Sequence, residues 1–79
     1  MIITIEISYY PLVEDFNLLV NTFIKKIYTP DIKVETGKMS TIITGEYSEV
    51  MDLQTNAMGD LMEKYPSVFN LKISNSCIV

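Results

Sequence analysis

Hydrophobic and polar residues alternate along residues 2–10, near the start of the chain. One side carries Ile3, Ile5, Ile7 and Tyr9, and the other side carries Thr4, Glu6, Ser8 and Tyr10. A period of two residues predicts a β-strand with one buried face. Pro11 has no N–H to give to a strand ladder, so the strand is expected to end there.

The pattern then changes to a helical period over residues 15–28. Its apolar positions are Phe16, Leu19, Val20, Phe23, Ile24 and Ile27. This spacing predicts an amphipathic helix. Acidic residues near its start and Lys25 and Lys26 near its end suit the helix dipole.

Residues 32–36 and 39–47 are predicted to be two short strands around a turn at Gly37 and Lys38. Gly45 indicates a bulge or a close backbone approach. Ser48 is a plausible N-cap of a second helix. The apolar stripe of that helix comprises Val50, Leu53, Ala57, Leu61 and Tyr65, widened by Met51, Met58 and Met62.

The helix is predicted to end at residues 65–67, and alternation returns over residues 68–74. Phe69, Leu71 and Ile73 are expected to face the helices. The resulting order, β-α-β-β-α-β, predicts an α+β, ferredoxin-like fold in a single domain spanning residues 1–79. Its four-stranded antiparallel sheet should have the order 4-1-3-2, with both helices on one face.

One face of this sheet would have no helix over it, and function is therefore sought there. It should carry Thr4, Glu6, Ser8 and Tyr10, with Asn70, Lys72 and Ser74 from the last strand. One of the adjacent residues Ile42 and Ile43 must also face outward. Such a surface can be an interface between copies of the chain or a ligand pocket with a polar rim, and the two can coexist.

Glu6 is unusual because glutamate is unfavourable in the middle of a central strand. It can form a cross-strand pair with Lys72, or it can present a carboxylate to a cationic or amine-bearing ligand. The Met39-Ser40-Thr41 triplet follows the turn, where hydroxyls and backbone groups converge; ordinary turn and strand preferences explain it equally well. Tyr9 and Tyr10 can be ordinary sheet aromatics or a stacking surface for a flat heterocycle.

Composition excludes several classes of function. The chain of 79 residues has 6 Lys, 10 acidic residues and a net charge of −4, with no His and no Arg. The acidic balance argues against nucleic acid, and no apolar run is long enough to cross a membrane. A lone cysteine, Cys77, is expected to be inert, and a cytoplasmic location is expected. No catalytic centre, metal site or cofactor is predicted.

Three segments resemble the small thiamine-binding, YkoF-like proteins. They are Ile5 to Leu12, Val34-Glu35-Thr36 leading to Met39-Ser40-Thr41, and Gly45-Glu46-Tyr47-Ser48-Glu49-Val50-Met51. The resemblance implies ferredoxin-like domains that associate through their sheets. It also implies non-enzymatic binding of thiamine or its hydroxymethylpyrimidine moiety. Lys38 departs from the family pattern, because a small or apolar residue is expected before Met39.

The expected ligand is therefore a thiamine-like heterocycle, bound within a dimer or tetramer. Its proposed site comprises Glu6, Ser8, Tyr10, Met39, Ser40 and Thr41. Glu6 would offset the positive charge, Ser8, Ser40 and Thr41 would hydrogen-bond, and Tyr10 and Met39 would form apolar walls. The alternative is an assembly module whose open face is only an interface. A small enzyme is the third and least favoured reading, because suitable ionisable groups are scarce.

Overall fold

A computed structural model of the protein describes residues 1–76, and Cys77 lies outside this range. The elements are β1 (Ile2–Pro11), α1 (Phe16–Ile27), β2 (Lys33–Thr36), β3 (Thr41–Glu46), α2 (Tyr47–Lys64) and β4 (Ser67–Ser74). The strands form one antiparallel sheet in the order β2-β3-β1-β4. This confirms the predicted ferredoxin-like fold and its strand order.

The helices cover one face of the sheet, and the core lies between the two layers. Ile3, Ile5 and Ile7 of β1 are buried there against residues of both helices. Phe23 of α1 and Val50 of α2 are almost completely buried in the same cluster. The alternation of β1 therefore gives the sheet its buried face, as predicted.

The ends of three elements differ from the prediction. β1 continues through Pro11, which pairs with Ser67 at the end of the ladder, where its missing N–H is tolerated. β3 occupies residues 41–46 and passes directly into α2 without an intervening residue. Glu46 rather than Ser48 is the N-cap of α2, because its carboxylate accepts a hydrogen bond from the Ser48 backbone N–H at 3.0 Å.

Gly45 is a close backbone approach and not a bulge, since the β1–β3 register runs through it without interruption. A side-chain carbon at this position would lie 3.0 Å from Val50 Cγ2 and 3.3 Å from Ile32 Cγ1. The packing of α2 against this end of the sheet therefore depends on a glycine here.

Four residues predicted to contribute to the core are substantially exposed: Phe16, Met62, Tyr65 and Ile73. Ile73 pairs with Ile5 and so shares the helix-side face, but β4 is an edge strand and the helices do not cover it fully. Gln54 is buried instead, a polar residue that the apolar pattern of α2 did not include.

The open face is also defined by the pairing of strands. Ile42 pairs with Glu6 and with Glu35, so these three side chains lie on the face away from the helices. Ile43 is completely buried in the core. The outward isoleucine that the sequence left undecided is therefore Ile42.

Among residues 1–76, no helix combines the length and the apolar character needed to cross a membrane.

Candidate functional site

A cavity of about 280 Å³ lies between α1, the end of β1 and the turn between β2 and β3. It is lined by Ile7, Tyr9, Tyr10, Phe16, Asn17, Val20, Phe23, Ile24 and residues 37–41. Aromatic rings and aliphatic chains dominate its walls, with a few polar groups among them. This is the composition typical of a site for a small organic ligand.

The cavity exists because β3 is shorter than its neighbour β1. The β1–β3 ladder ends where Ile7 pairs with Thr41, whereas β1 continues to Pro11 with only β4 beside it. The vacant strand position leaves one edge of residues 8–11 without a β3 partner. Helix α1 passes beside this gap and supplies the opposite wall.

The β2–β3 turn brings three predicted site residues to the cavity. The Gly37 N–H donates to the Ser40 carbonyl at 2.9 Å, which closes the turn. Met39 projects from it and is 84% exposed, whereas Thr41 is buried on the helix side of the sheet. The exposed Met39 side chain therefore lies at the mouth of the cavity, and the buried residue Thr41 lies deeper in its wall.

Behind the cavity wall, a short polar chain joins the turn to the open face. Ser40 Oγ donates to Glu6 Oε2 at 3.0 Å, and Lys72 Nζ lies 3.8 Å from Glu6 Oε1. The Glu6–Lys72 pair that the sequence offered as an alternative is thus present, but the Lys72 side chain is 82% exposed. An ion pair of that kind contributes little to stability, so the bond to Ser40 is the stronger constraint on Glu6.

The six predicted ligand-binding residues do not all reach the same place. Tyr10, Met39, Ser40 and Thr41 line the cavity. Glu6 is one hydrogen bond removed from it. Ser8 pairs with Asn70 on the open face and does not line the cavity.

Sequence reasoning missed the contribution of α1. Phe16, Asn17 and Val20 form a wall, although the helical period assigned Phe16 and Val20 to the core and did not distinguish Asn17. An apolar stripe looks the same whether it packs against a sheet or borders a gap in it. The apolar pattern carried no signal for this gap, because it predicts first and third strands of equal length, whereas β3 of the structure begins only at Thr41.

Tyr9 forms part of an aromatic floor beneath the cavity. Its ring stacks on Phe69 with centroids 4.3 Å apart and an interplanar angle of 2°, and it meets Phe23 at 5.6 Å. Its hydroxyl lies 3.2 Å from Ser67 Oγ. These contacts fix the Tyr9 ring in the core, so Tyr10 is the tyrosine of this pair with a substantially exposed ring.

A second, shallower cleft is acidic. Asp31, Glu49 and Asp52 border it, beside Leu53 and Asn56. Within residues 1–76, no three His, Cys, Asp or Glu side chains are grouped so that they could hold a metal ion. The cleft therefore has negative charge but no assembled ligand set.

Solved structures with the same architecture include a candidate thiamine biosynthesis/salvage protein from Thermotoga maritima. It is 28% identical, has a TM-score of 0.83, and the match covers 96% of this chain and 85% of that one. A protein from Streptococcus pneumoniae gives a TM-score of 0.87 at 21% identity, with 99% and 90% covered, and shows the shared fold alone. No curated protein sequence matches the chain.

The sequence profile of a family described as thiamine-binding protein matches residues 5–75. The matched segment contains all six elements apart from the first few residues of β1. The chain belongs to the thiamine-binding protein family.

Proposed function

We propose that the protein binds thiamine, or its hydroxymethylpyrimidine moiety, in the cavity between α1 and the β2–β3 turn, and that it does so without catalysis. The observation that carries this proposal is that four of the six residues proposed from the sequence line one cavity in a member of the thiamine-binding family. The Thermotoga relative, described as a candidate thiamine biosynthesis/salvage protein, supports the same ligand class.

The size and lining of the cavity support a small ring rather than a large cofactor. A volume of about 280 Å³ lies just below the range for ligand sites, which begins at roughly 300 Å³. Tyr10 and Phe16 offer aromatic surfaces, and Asn17, Ser40 and Thr41 offer hydrogen bonds. A flat aminopyrimidine needs this combination.

Unphosphorylated ligands are favoured over thiamine diphosphate. Arginine is absent from the chain, so there is no bidentate clamp for a diphosphate. Among residues 1–76, Lys38 is the one basic residue that lines the cavity. One lysine without a glycine-rich phosphate loop makes a weak diphosphate site. The positive charge of Lys38 also disfavours placing the thiazolium cation deep in the cavity.

The proposal includes self-association through the open face of the sheet. Tyr10 and Val68 pair across β1 and β4, are 46% and 48% exposed, and lie on the same face as Ile42. An apolar cross-strand pair of this kind is typical of a surface that contacts another chain. The same observation favours the second candidate function, an assembly module in which this face is only an interface.

Isothermal titration calorimetry with thiamine, hydroxymethylpyrimidine and thiamine diphosphate tests the binding function. We expect the first two to bind and the diphosphate to bind more weakly. Asn17→Trp should abolish binding by filling the cavity, whereas Asn56→Trp, the same change on α2, should not. No heat from any of the three ligands at millimolar concentration would contradict the proposal and leave the assembly function.

A further inference from the structure

Ser40 has a hydrogen-bonding direction imposed on it by Glu6. A serine hydroxyl has one proton to donate and two lone pairs that can accept. The Ser40 proton is directed to Glu6 Oε2 at 3.0 Å, and a carboxylate can only accept. The Ser40 oxygen therefore has accepting capacity left and no proton for a ligand.

We propose that Ser40, held in this way, selects ligands that present an N–H donor, and that Glu6 is a positioning residue acting through Ser40 rather than a direct counter-ion. The proposal rests on the proposed function of the cavity and specifies the chemical class of its ligand. That class is the amine-bearing heterocycles. A heterocycle with a carbonyl at the same position would place its acceptor oxygen against the Ser40 oxygen, and two acceptors cannot form a hydrogen bond.

The location of Glu6 supports the indirect role. Ser40 lines the cavity and Glu6 does not. The second carboxylate oxygen, Oε1, faces Lys72 on the open side, so cations on that side compete for its charge. Ser40 is therefore the residue that connects the cavity wall to the Glu6 carboxylate, and under this proposal a ligand senses the Glu6 charge only through the Ser40 hydroxyl.

Two other polar side chains of the wall, Asn17 and Lys38, do not impose the same choice. The Asn17 amide carries both a donor and an acceptor and can present either by turning over. Lys38 can donate but not accept, so it suits a ring nitrogen equally well in either ligand class. Of these side chains, only Ser40 has its proton fixed by an anion.

Thiamine and oxythiamine provide the matched probes. Both carry the same thiazolium cation, but oxythiamine has a carbonyl oxygen where thiamine has its exocyclic amine, and its donor lies on the adjacent ring nitrogen. We expect the parent protein to bind thiamine about ten-fold more tightly or better, since a buried mismatch of acceptors costs at least that ratio. Equal binding, or a preference for oxythiamine, would overturn the inference without any variant being needed.

Variants then separate the two roles of Glu6. Ser40→Ala and Glu6→Gln should each reduce the preference for thiamine, and the double variant should lose no more than Ser40→Ala alone, because Glu6 acts through a hydroxyl that is no longer present. Thr44→Val and Glu35→Gln are the matched controls, since they remove a hydroxyl from β3 and a carboxylate from the open face away from the cavity. Neither control should change the preference.

The outcomes distinguish failure of this inference from failure of the proposed function. Losses that add fully in the double variant would overturn the role through Ser40. So would a loss on Glu6→Gln that affects thiamine but spares neutral hydroxymethylpyrimidine, because that pattern identifies a direct counter-ion. Absence of binding by the parent protein would overturn the proposed function itself, and this inference with it.

Discussion

At the scale of single residues, two of the three glycines have contrasting surroundings. Gly45 lies near the end of β3, just before α2 begins, and a methyl group there would lie 3.0 Å from Val50 Cγ2. Gly59 is exposed within α2, with no atom within 4 Å of the position that a side-chain carbon would take. The same substitution should therefore have opposite effects at the two sites.

We expect Gly45→Ala to lower the free energy of unfolding by about 1–3 kcal/mol, because overpacking forces Val50 and Ile32 to move. Gly59→Ala should raise it by about 0.5–1 kcal/mol, because alanine is the better helix former and meets no obstruction. Urea unfolding monitored by circular dichroism measures both changes. A Gly45→Ala protein as stable as the parent would show that the close approach is readily relieved.

The candidate site illustrates how far single residues can be predicted. Met39, Ser40 and Thr41 could be proposed from their place after a turn, and all three line the cavity. Alternation could not say which of Ile42 and Ile43 faces outward, because both are equally apolar and only the pairing with Glu6 decides. The direction of the Ser40 proton depends on a contact across 34 positions of sequence, which no local pattern contains.

At the scale of elements, β3 and α2 are joined without any intervening residue. Glu46 ends the strand and also caps the helix. The Ser48 backbone N–H, and after it the amino terminus at 3.2 Å, holds the pKa of the Glu46 carboxyl below its ordinary value of 4.5. Sequence reasoning chose Ser48 because serine is the commoner cap, and it overlooked a glutamate whose own side chain reaches the same N–H group.

The lowered pKa of Glu46 has a defined sign for stability. A carboxyl with a lower pKa in the folded chain stabilises it above the unfolded pKa, and this contribution is lost as the pH falls through the folded pKa. We expect the parent to be more stable than Glu46→Gln at pH 6, with the difference shrinking as the pH falls below about 4.5. Chemical unfolding at a series of pH values measures it.

Glu49→Gln is the control for this measurement, because Glu49 lies in the first turn of α2 but is not the residue that caps it. A difference between parent and Glu46→Gln that stays constant from pH 6 to pH 3 would contradict the assignment.

At the scale of the whole molecule, the sheet has one face under the helices and one face without them. The order of elements predicted this arrangement correctly, since two crossovers of the same hand place both helices on one side. Lengths were less predictable. The late start of β3 at Thr41, which leaves the gap beside β1, reflects the geometry of the turn at residues 37–40 and is not marked by a change in the apolar pattern.

The pair Ile42 and Ile43 tests the proposed self-association. Ile43→Lys should unfold the chain, because it buries an unpaired charge in the core. Ile42→Lys should remain folded, because Glu6 and Glu35 flank it on the neighbouring strands, yet it should dissociate the oligomer. Circular dichroism and light scattering report the two properties separately. Ile42→Val is the control and should form an oligomer of the same molar mass as the parent protein. A parent protein that is monomeric at tens of micromolar would rule out the association.

The direct passage from β3 into α2 also governs what lengths this chain can tolerate. Each residue advances an α-helix by about 100° of rotation. One amino acid inserted between Glu46 and Tyr47 would therefore turn the whole helix about its axis and carry Val50, Ala57 and Leu61 away from the sheet. Evolution can lengthen the turn at residues 37–40 and so reshape the mouth of the cavity, but at residue 46 the spacing between strand and helix is as constrained as the core itself.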